Sequence, residues 1–416
     1  MVNGSICYLR RACLSGALWL ALLACNFRAG ANPAGGTVTQ GQATISSSGP
    51  QLNINQTTAN AVINWQSFNI GAGETVNFNQ PSSTSVTWNQ INDVNPSQIL
   101  GAINAPGFVV LQNPNGFYVG GSATITAHGF IMTTAPTPAL NFSSSGPWSF
   151  NAPPPTAKII NCGQINITGG GSAYLIASDI ENDGTISAPG GNIGLYAGEN
   201  VLVSSRPDGR GLSAQVTLPQ GSVDNEGKLI ADAGSIAAEA QYVNQNGLVQ
   251  ANSVRDVNGT VELVASDSVN LGPNSVISAQ GDALGTSAGG SVTIQSEGSF
   301  SDEAGSSINV SGGTQGGNGG QVEISAPTMG DINSSVAGTA ASGFTDGILT
   351  IDPTTLIINS AYISTFSGLS EINILTTGNI ELSTVWNLVN EGTTANLLLS
   401  AGNNITFDGG DGILAG

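Results

Sequence analysis

Apolar and polar residues alternate in short runs along nearly the whole chain, and glycine separates one run from the next. A period of two puts every second side chain on one face, so each run predicts a β-strand with one buried side. The intervening glycines predict tight turns. From about Gly163 one unit recurs, Gly-x-[Val/Ile/Ala]-x-[Leu/Ile/Ala]-x-[Ala/Ser]. It reads GSAYLIA from Gly171, GNIGLYA from Gly191, GSIAAEA from Gly234, GTVELVA from Gly259, GSVTIQS from Gly290 and GQVEISA from Gly320. A second unit, Asn-x-Gly-x-[Ile/Leu]-x-Ala, occurs as NDGTISA from Asn182 and NEGKLIA from Asn225.

Successive copies of the first unit are 20, 43, 25, 31 and 30 residues apart. The shortest step is the size of one rung of a parallel β-helix, about 20 residues, and the longer ones are rungs with loops or pairs of rungs. A β-sandwich would also show short strands, but it would not reuse one strand sequence. The predicted class is therefore all-β, a parallel β-helix in which each strand pairs with the rungs on either side. Asn and Ser at the corners are placed to form hydrogen-bonded ladders.

Composition agrees with stacking. Charged residues make up 8% of the 416, against about 25% in ordinary globular proteins, because like charges stacked in register repel. The apolar 40% is spread in short runs and 57 glycines accompany it, which excludes both a bundle of membrane helices and a disordered chain.

Residues 1–31 differ in kind. Arg10 and Arg11 precede the apolar ACLSGALWLALLAC, and Ala29-Gly30-Ala31 closes the segment. The segment reads as a signal peptide cleaved after Ala31. A competing reading takes LLAC as a lipobox ending at Cys25, but Leu23 is bulky where small residues are usual. Leader removal would leave Cys162 alone in KIINCGQINI, a buried inert thiol. It would also leave five basic residues against 27 acidic ones, a net charge of −22. Such a chain attracts neither nucleic acid nor anionic lipid. Between Asn32 and Ser178 the only charges are Glu74, Asp93 and Lys158.

Candidate chemistry is sparse. His128, the one histidine, sits in the alternating TITAHGFIM and has neither a second histidine nor a cysteine pair to complete a metal or catalytic set. Glu74 in GAGETVNF reads as a turn carboxylate. Arg206 and Arg210 in SSRPDGRG mark a loop that could take an anion. FDGGDGILAG, from Phe407, has one copy of a Gly-Asp turn without the repeat that calcium sites need. No catalytic, cofactor or metal residue is assigned. The rival class is a carbohydrate-binding or polysaccharide-cleaving β-helix enzyme, which would want a cluster of bases and carboxylates.

Two places break the pattern. Three prolines in NAPPPTAK (Asn151–Lys158) cannot donate to a ladder and mark an excursion between rungs. From Gly347 to Thr365 glycine thins and the apolar runs lengthen, and the chain stops within the pattern without a polar cap, as in a truncated solenoid or one whose end a partner covers.

The first hundred residues after the leader carry more than a pattern. NQTTANAVINWQSFNIG, VNFNQPSS, SQILG and NPNG follow in order between Pro33 and about Thr134. This stretch closely resembles the filamentous haemagglutinin family amino-terminal domain, the secretion domain of two-partner secretion exoproteins. A second motif of many members, Asn-Pro-Asn-Leu, does not occur. The resemblance implies a right-handed parallel β-helix whose amino end is closed by extra strands. It implies residues 32–270 as the secretion domain on its rungs and 271–416 as further rungs. It also implies export by a TpsB-type outer-membrane β-barrel with POTRA domains, seeding of the fold by the amino end, and a secreted, adhesin-like product of a Gram-negative cell. That product would meet a host or cell-surface receptor and would not act as an enzyme.

Carried over residue by residue, the recognition and nucleation positions are Asn55, Gln56, Asn64, Trp65, Phe68, Asn79, Gln80, Pro81, Asn113, Pro114, Asn115 and Gly116. Asn113 to Gly116 are a turn by local chemistry, since Pro114 fixes φ and Gly116 tolerates positive φ. They join Phe108–Leu111 to Phe117–Val119, which reads as a corner held for export and folding.

Overall fold

The computed structural model describes residues 32–136, 146–205, 212–359, 366–387 and 395–414. The leader and the loop with Arg206 and Arg210 lie outside the described residues, as do the last two residues of FDGGDGILAG. Among the described residues every regular element is a β-strand. The chain forms two compact units, Met1–Ala188 with Tyr196–Leu218, and Pro189–Leu195 with Pro219–Gly416.

In the first unit three stacks of parallel strands wind into a coil, one strand of each stack per rung. The first stack runs through Gln51–Gln56, Thr75–Asn79, Ala102–Asn104, Thr124–Ala127, Gln164–Ile167 and Thr185–Ser187. The second runs through Asn60–Trp65, Val86–Ile91, Phe108–Gln112, Gly129–Thr133 and Ser172–Ile176. The third runs through Ser97–Ile99, Phe117–Val119, Lys158–Asn161 and Asp179–Asn182. The expected parallel β-helix is what the chain forms.

Register explains the alternation. Leu52, Val76, Ile103, Ile125, Ile165 and Ile186 fall in one inward column, all buried. Full burial of each such side chain contributes about 1.5–3 kcal/mol. The neighbouring outward column is Asn53, Asn77 and Asn104, linked amide to amide at 3.0 Å and 3.0 Å. The asparagine ladder was expected at the corners; here it lies along an outward strand face. A corner ladder also exists inside, where fully buried Asn161 donates to Asn182 at 2.7 Å.

Antiparallel strands close the amino end. Thr37–Gln40 pairs with Asn60–Trp65, and Ala43–Ser48 pairs with Gln51–Gln56. The proline segment leads from a true excursion. Trp148–Asn151 pairs antiparallel with Gly198–Ser205, and Leu212–Pro219 completes this separate three-stranded sheet. It lies on the outer side of the second stack. Phe150 stacks on Trp88 with ring centroids 5.8 Å apart, Trp148 meets Trp88 edge-on, and the Tyr174 hydroxyl donates to the carbonyl of Leu212.

In the second unit the glycine-led repeats stand directly on one another. Ser235–Gln245, Thr260–Leu271, Ser291–Ser296, Gln321–Ser325 and Gly347–Asp352 stack in parallel, with Ile236, Val261, Val292, Val322 and Leu349 in one column. The leading glycine has a packing reason. A Cβ on Gly320 would lie 2.0 Å from the carbonyl oxygen of Gly290, and one on Gly290 would lie 2.1 Å from that of Gly259. The backbones approach too closely at this corner for any side chain.

Two expectations are corrected. His128 is not within a strand but at the break between Thr124–Ala127 and Gly129–Thr133. It is half-buried there, with Nδ1 2.9 Å from the carbonyl of Thr168 and its ring edge-on to Phe108. Cys162 is half-buried rather than fully buried.

Candidate transporter-recognition and nucleation surface

Gln56 ends one strand of the first stack and Gln80 directly follows the next, where the coil turns toward the second. Gln56 is buried, and its Nε2 donates to the carbonyls of Thr58, Ala59 and Val86 at 2.7, 3.1 and 3.2 Å. Its Oε1 accepts the hydroxyl of Thr87 at 2.6 Å. Gln80 donates to that same hydroxyl oxygen at 3.0 Å and to the Phe108 carbonyl at 2.7 Å, while its Oε1 accepts the Gly107 N–H at 2.8 Å. Thr87, fully buried, is therefore satisfied from both sides. These two glutamines bond groups on three consecutive rungs. Beside them Asn79 donates to Asn55 at 2.7 Å on the exposed face, and Pro81 follows, also exposed.

The Asn113–Gly116 stretch is the corner expected. The Asn113 carbonyl accepts the Gly116 N–H at 3.0 Å, and its Oδ1 accepts the Asn115 N–H at 2.9 Å. Gly116 has φ of +105°, and a Cβ there would lie 2.6 Å from the Lys158 carbonyl oxygen. The corner is also tied backward to the preceding rung. Fully buried Asn113 donates to the Asn95 carbonyl at 3.1 Å and to Ser97 Oγ at 3.0 Å, and exposed Asn115 donates to the Asp93 carbonyl at 2.7 Å. Pro114 is half-buried between them.

Trp65 and Phe68 are buried under the amino-terminal cap, edge to face with centroids 5.5 Å apart. The Trp65 indole N–H donates to Asn89 Oδ1 at 2.9 Å, one rung on. Asn64 lies opposite Thr37 of the cap, and its buried Oδ1 has no partner among the described residues.

The twelve positions therefore divide by exposure. Gln56, Trp65, Phe68, Asn113 and Gly116 are buried and join rungs; Asn64, Gln80 and Pro114 are half-buried; Asn55, Asn79, Pro81 and Asn115 face solvent. Sequence reasoning did not single out Thr87, Asn89 or Ser97, which complete these networks, nor buried Gln112, whose Oε1 accepts the Trp88 indole N–H from the preceding rung. Their signal was available in VTWNQI, Val86 to Ile91, where polar residues occupy both parities of an otherwise apolar strand. Such a strand has to satisfy polar groups on its buried side.

Little else offers chemistry. Among the described residues no group of His, Cys, Asp and Glu could hold a metal ion. A groove of ≈ 490 Å³ lined by Arg255, Asp256, Asp282 and Leu284, among others, sets one cation beside two carboxylates.

The sequence model of the TPS secretion domain matches residues 29–277. This chain belongs to the TPS secretion domain family. Two curated relatives, both named heme/hemopexin-binding protein and both from Haemophilus influenzae, align with it. One, from strain Rd, is 30% identical over 268 residues, which is 61% of this chain and 29% of that protein. The other is 27% identical over 269 residues, 58% of this chain and 28% of that protein. The chain thus spans less than a third of the length of these relatives. Among solved structures, the HMW1 secretion domain from Haemophilus influenzae superposes with a TM-score of 0.70 over 91% of this chain and 100% of that one. At 23% identity that likeness speaks for the fold alone. The buried networks above lie within the residues that the family model matches.

Proposed function

We propose that this chain is the exported member of a two-partner pair, drawn through a POTRA-bearing TpsB-type outer-membrane β-barrel and folding as it emerges. Residues 32–270 form its secretion domain and 271–416 add rungs. The single observation that carries the reading is the set of buried amides that bond from rung to rung between Gln56 and Gln112. Parallel strands pay loop-closure entropy before pairing rewards it, and side chains that bridge three rungs lower that barrier at one end of the coil. The exposed positions Asn55, Asn79, Pro81 and Asn115 are the surface left for the POTRA domains. The product is secreted or held at the cell surface and is adhesin-like. Its receptor on this reading is a host protein, in keeping with the name of the relatives.

Secretion with the cognate transporter tests this. Asn115→Ala, on the exposed side, lowers the amount exported while purified protein folds normally. Asn113→Ala, on the buried side, slows refolding in solution as well as export. Normal export of both variants overturns the proposal.

A further inference from the structure

Glu74 is a carboxylate in a stretch almost without charge. Between Asn32 and Ser178 the sequence offers only Asp93 and Lys158 besides it. No ion pair to Glu74 occurs among the described residues, although it is half-buried in the turn that opens the second rung. Its Oε2 instead accepts two backbone N–H groups, that of Gly71 at 2.7 Å and that of Asn32 at 2.8 Å. The first closes the turn. The second reaches 42 residues back along the chain, to the first residue after the expected cleavage point.

Asn32 itself is held in an unusual way. Its φ is +40°, in the left-handed region that non-glycine residues seldom enter, and it precedes Pro33, which further restricts its backbone. That torsion is defined about a bond to the nitrogen whose other substituent is the carbonyl carbon of Ala31. Hydrolysis of the Ala31–Asn32 peptide bond adds one water, leaving a carboxylate on Ala31 and an amine on Asn32. The φ constraint then no longer exists. The freed α-amine, with an ordinary pKa of about 7.7–8.0, takes a proton and is a cation at neutral pH.

We propose that Glu74 is a receptor for the α-ammonium of Asn32, created when the leader is removed. Before cleavage the carboxylate takes one neutral N–H from this residue; after cleavage it faces a full positive charge from the same atom, and a charge-assisted bond replaces a neutral one. The pair fastens the start of the cap to the turn between the first and second rungs. Leader removal and closure of the amino end thereby become one event, and the uncut chain keeps a looser cap. This rests on the signal-peptide reading and on export, but the contact itself is testable without either.

The chain 32–416 is prepared with Asn32 as its authentic first residue by release from a cleavable fusion, alongside Glu74→Gln and a form extended by Met-Ala at the amino end. The pH dependence of acylation of the α-amine by a succinimidyl ester reads its titration. The expected result is an α-amine pKa raised by about one unit, so that acylation near pH 7.5 slows by up to about tenfold, with Glu74→Gln restoring the ordinary value. Thermal unfolding gives a second reading, in which Glu74→Gln lowers Tm more in the authentic chain than in the extended one, and high salt narrows that difference. An ordinary α-amine titration in the authentic chain, or an equal Tm loss in both chains, overturns the receptor. Mass spectrometry of the secreted protein separately locates its amino terminus; a start elsewhere than Asn32 overturns the coupling to leader removal while leaving the export reading standing.

Discussion

The indole N–H of Trp88 donates to the side-chain carbonyl of Gln112 at 2.8 Å, and both residues are buried. They lie in neighbouring strands of the second stack, and Gln112 passes the contact on by donating to the Ala135 carbonyl at 2.9 Å. Gln112→Leu therefore leaves a buried indole donor and a buried carbonyl unpaired. The expected loss is about 1–3 kcal/mol for each group left so. Adding Trp88→Phe to Gln112→Leu recovers part of it, and urea unfolding of the four proteins in a double-mutant cycle measures the coupling.

Gly320→Ala in the second unit is expected to be costly for a small change. Its Cβ would meet the Gly290 carbonyl at 2.0 Å, whereas around Gly330 a Cβ meets nothing within 4 Å. Overpacking of this kind costs about 1–3 kcal/mol or more, while Gly330→Ala stays within about 0.5 kcal/mol. A comparison of thermal midpoints checks the contrast; equal midpoints would mean that the corner relaxes freely.

Lys158 and Asp179 form an ion pair across adjacent strands, directly beside the column of Ile159 and Ile180. The lysine is 52% exposed, so solvent screens the pair and Lys158→Ala costs at most about 1 kcal/mol. Ile159→Ala, one residue along and fully buried, costs about 2–5 kcal/mol. Chemical denaturation of both variants ranks apolar stacking above charge, and the reverse order would refute that ranking.

The phenol of Tyr242 titrates above its ordinary value, chiefly because it hydrogen-bonds Asp267, with the negative charge of that carboxylate adding to the effect. The protonated phenol is the favoured form. Its contribution to stability is fully present below the unfolded value of about 10 and is lost as pH rises through the higher folded value. In an ultraviolet difference titration, Asp267→Asn should move one late-titrating tyrosine back toward the ordinary range.

Much of this was legible in the residues. The alternation of GSVTIQS and GQVEISA names the buried column correctly, because a period of two cannot place Val292 and Val322 on the outside without exposing every apolar neighbour. NPNG announces its own turn. What local pattern could not show is pairing at a distance. Nothing in Asn113 says that its amide will reach Asn95 and Ser97, and nothing in Thr87 says that two glutamines will bracket it. The excursion was visible as prolines, but its packing on Trp88 was not, since aromatic side chains there read equally well as exposed. His128 misled because the alternation around it continues unbroken through a corner.

The register of the second unit has a hereditary side. Val261, Val292 and Val322 occupy equivalent places with equivalent neighbours, so the stretch from one leading glycine to the next is a transposable block. A tandem duplication of such a block in the gene would lengthen the molecule by a whole coil and require no compensating change elsewhere. The amino end has no such freedom. Thr37–Gln40 and Ala43–Ser48 each fit one partner strand in one antiparallel register. A lineage can therefore vary the length of these proteins cheaply, while their beginning has to be inherited whole.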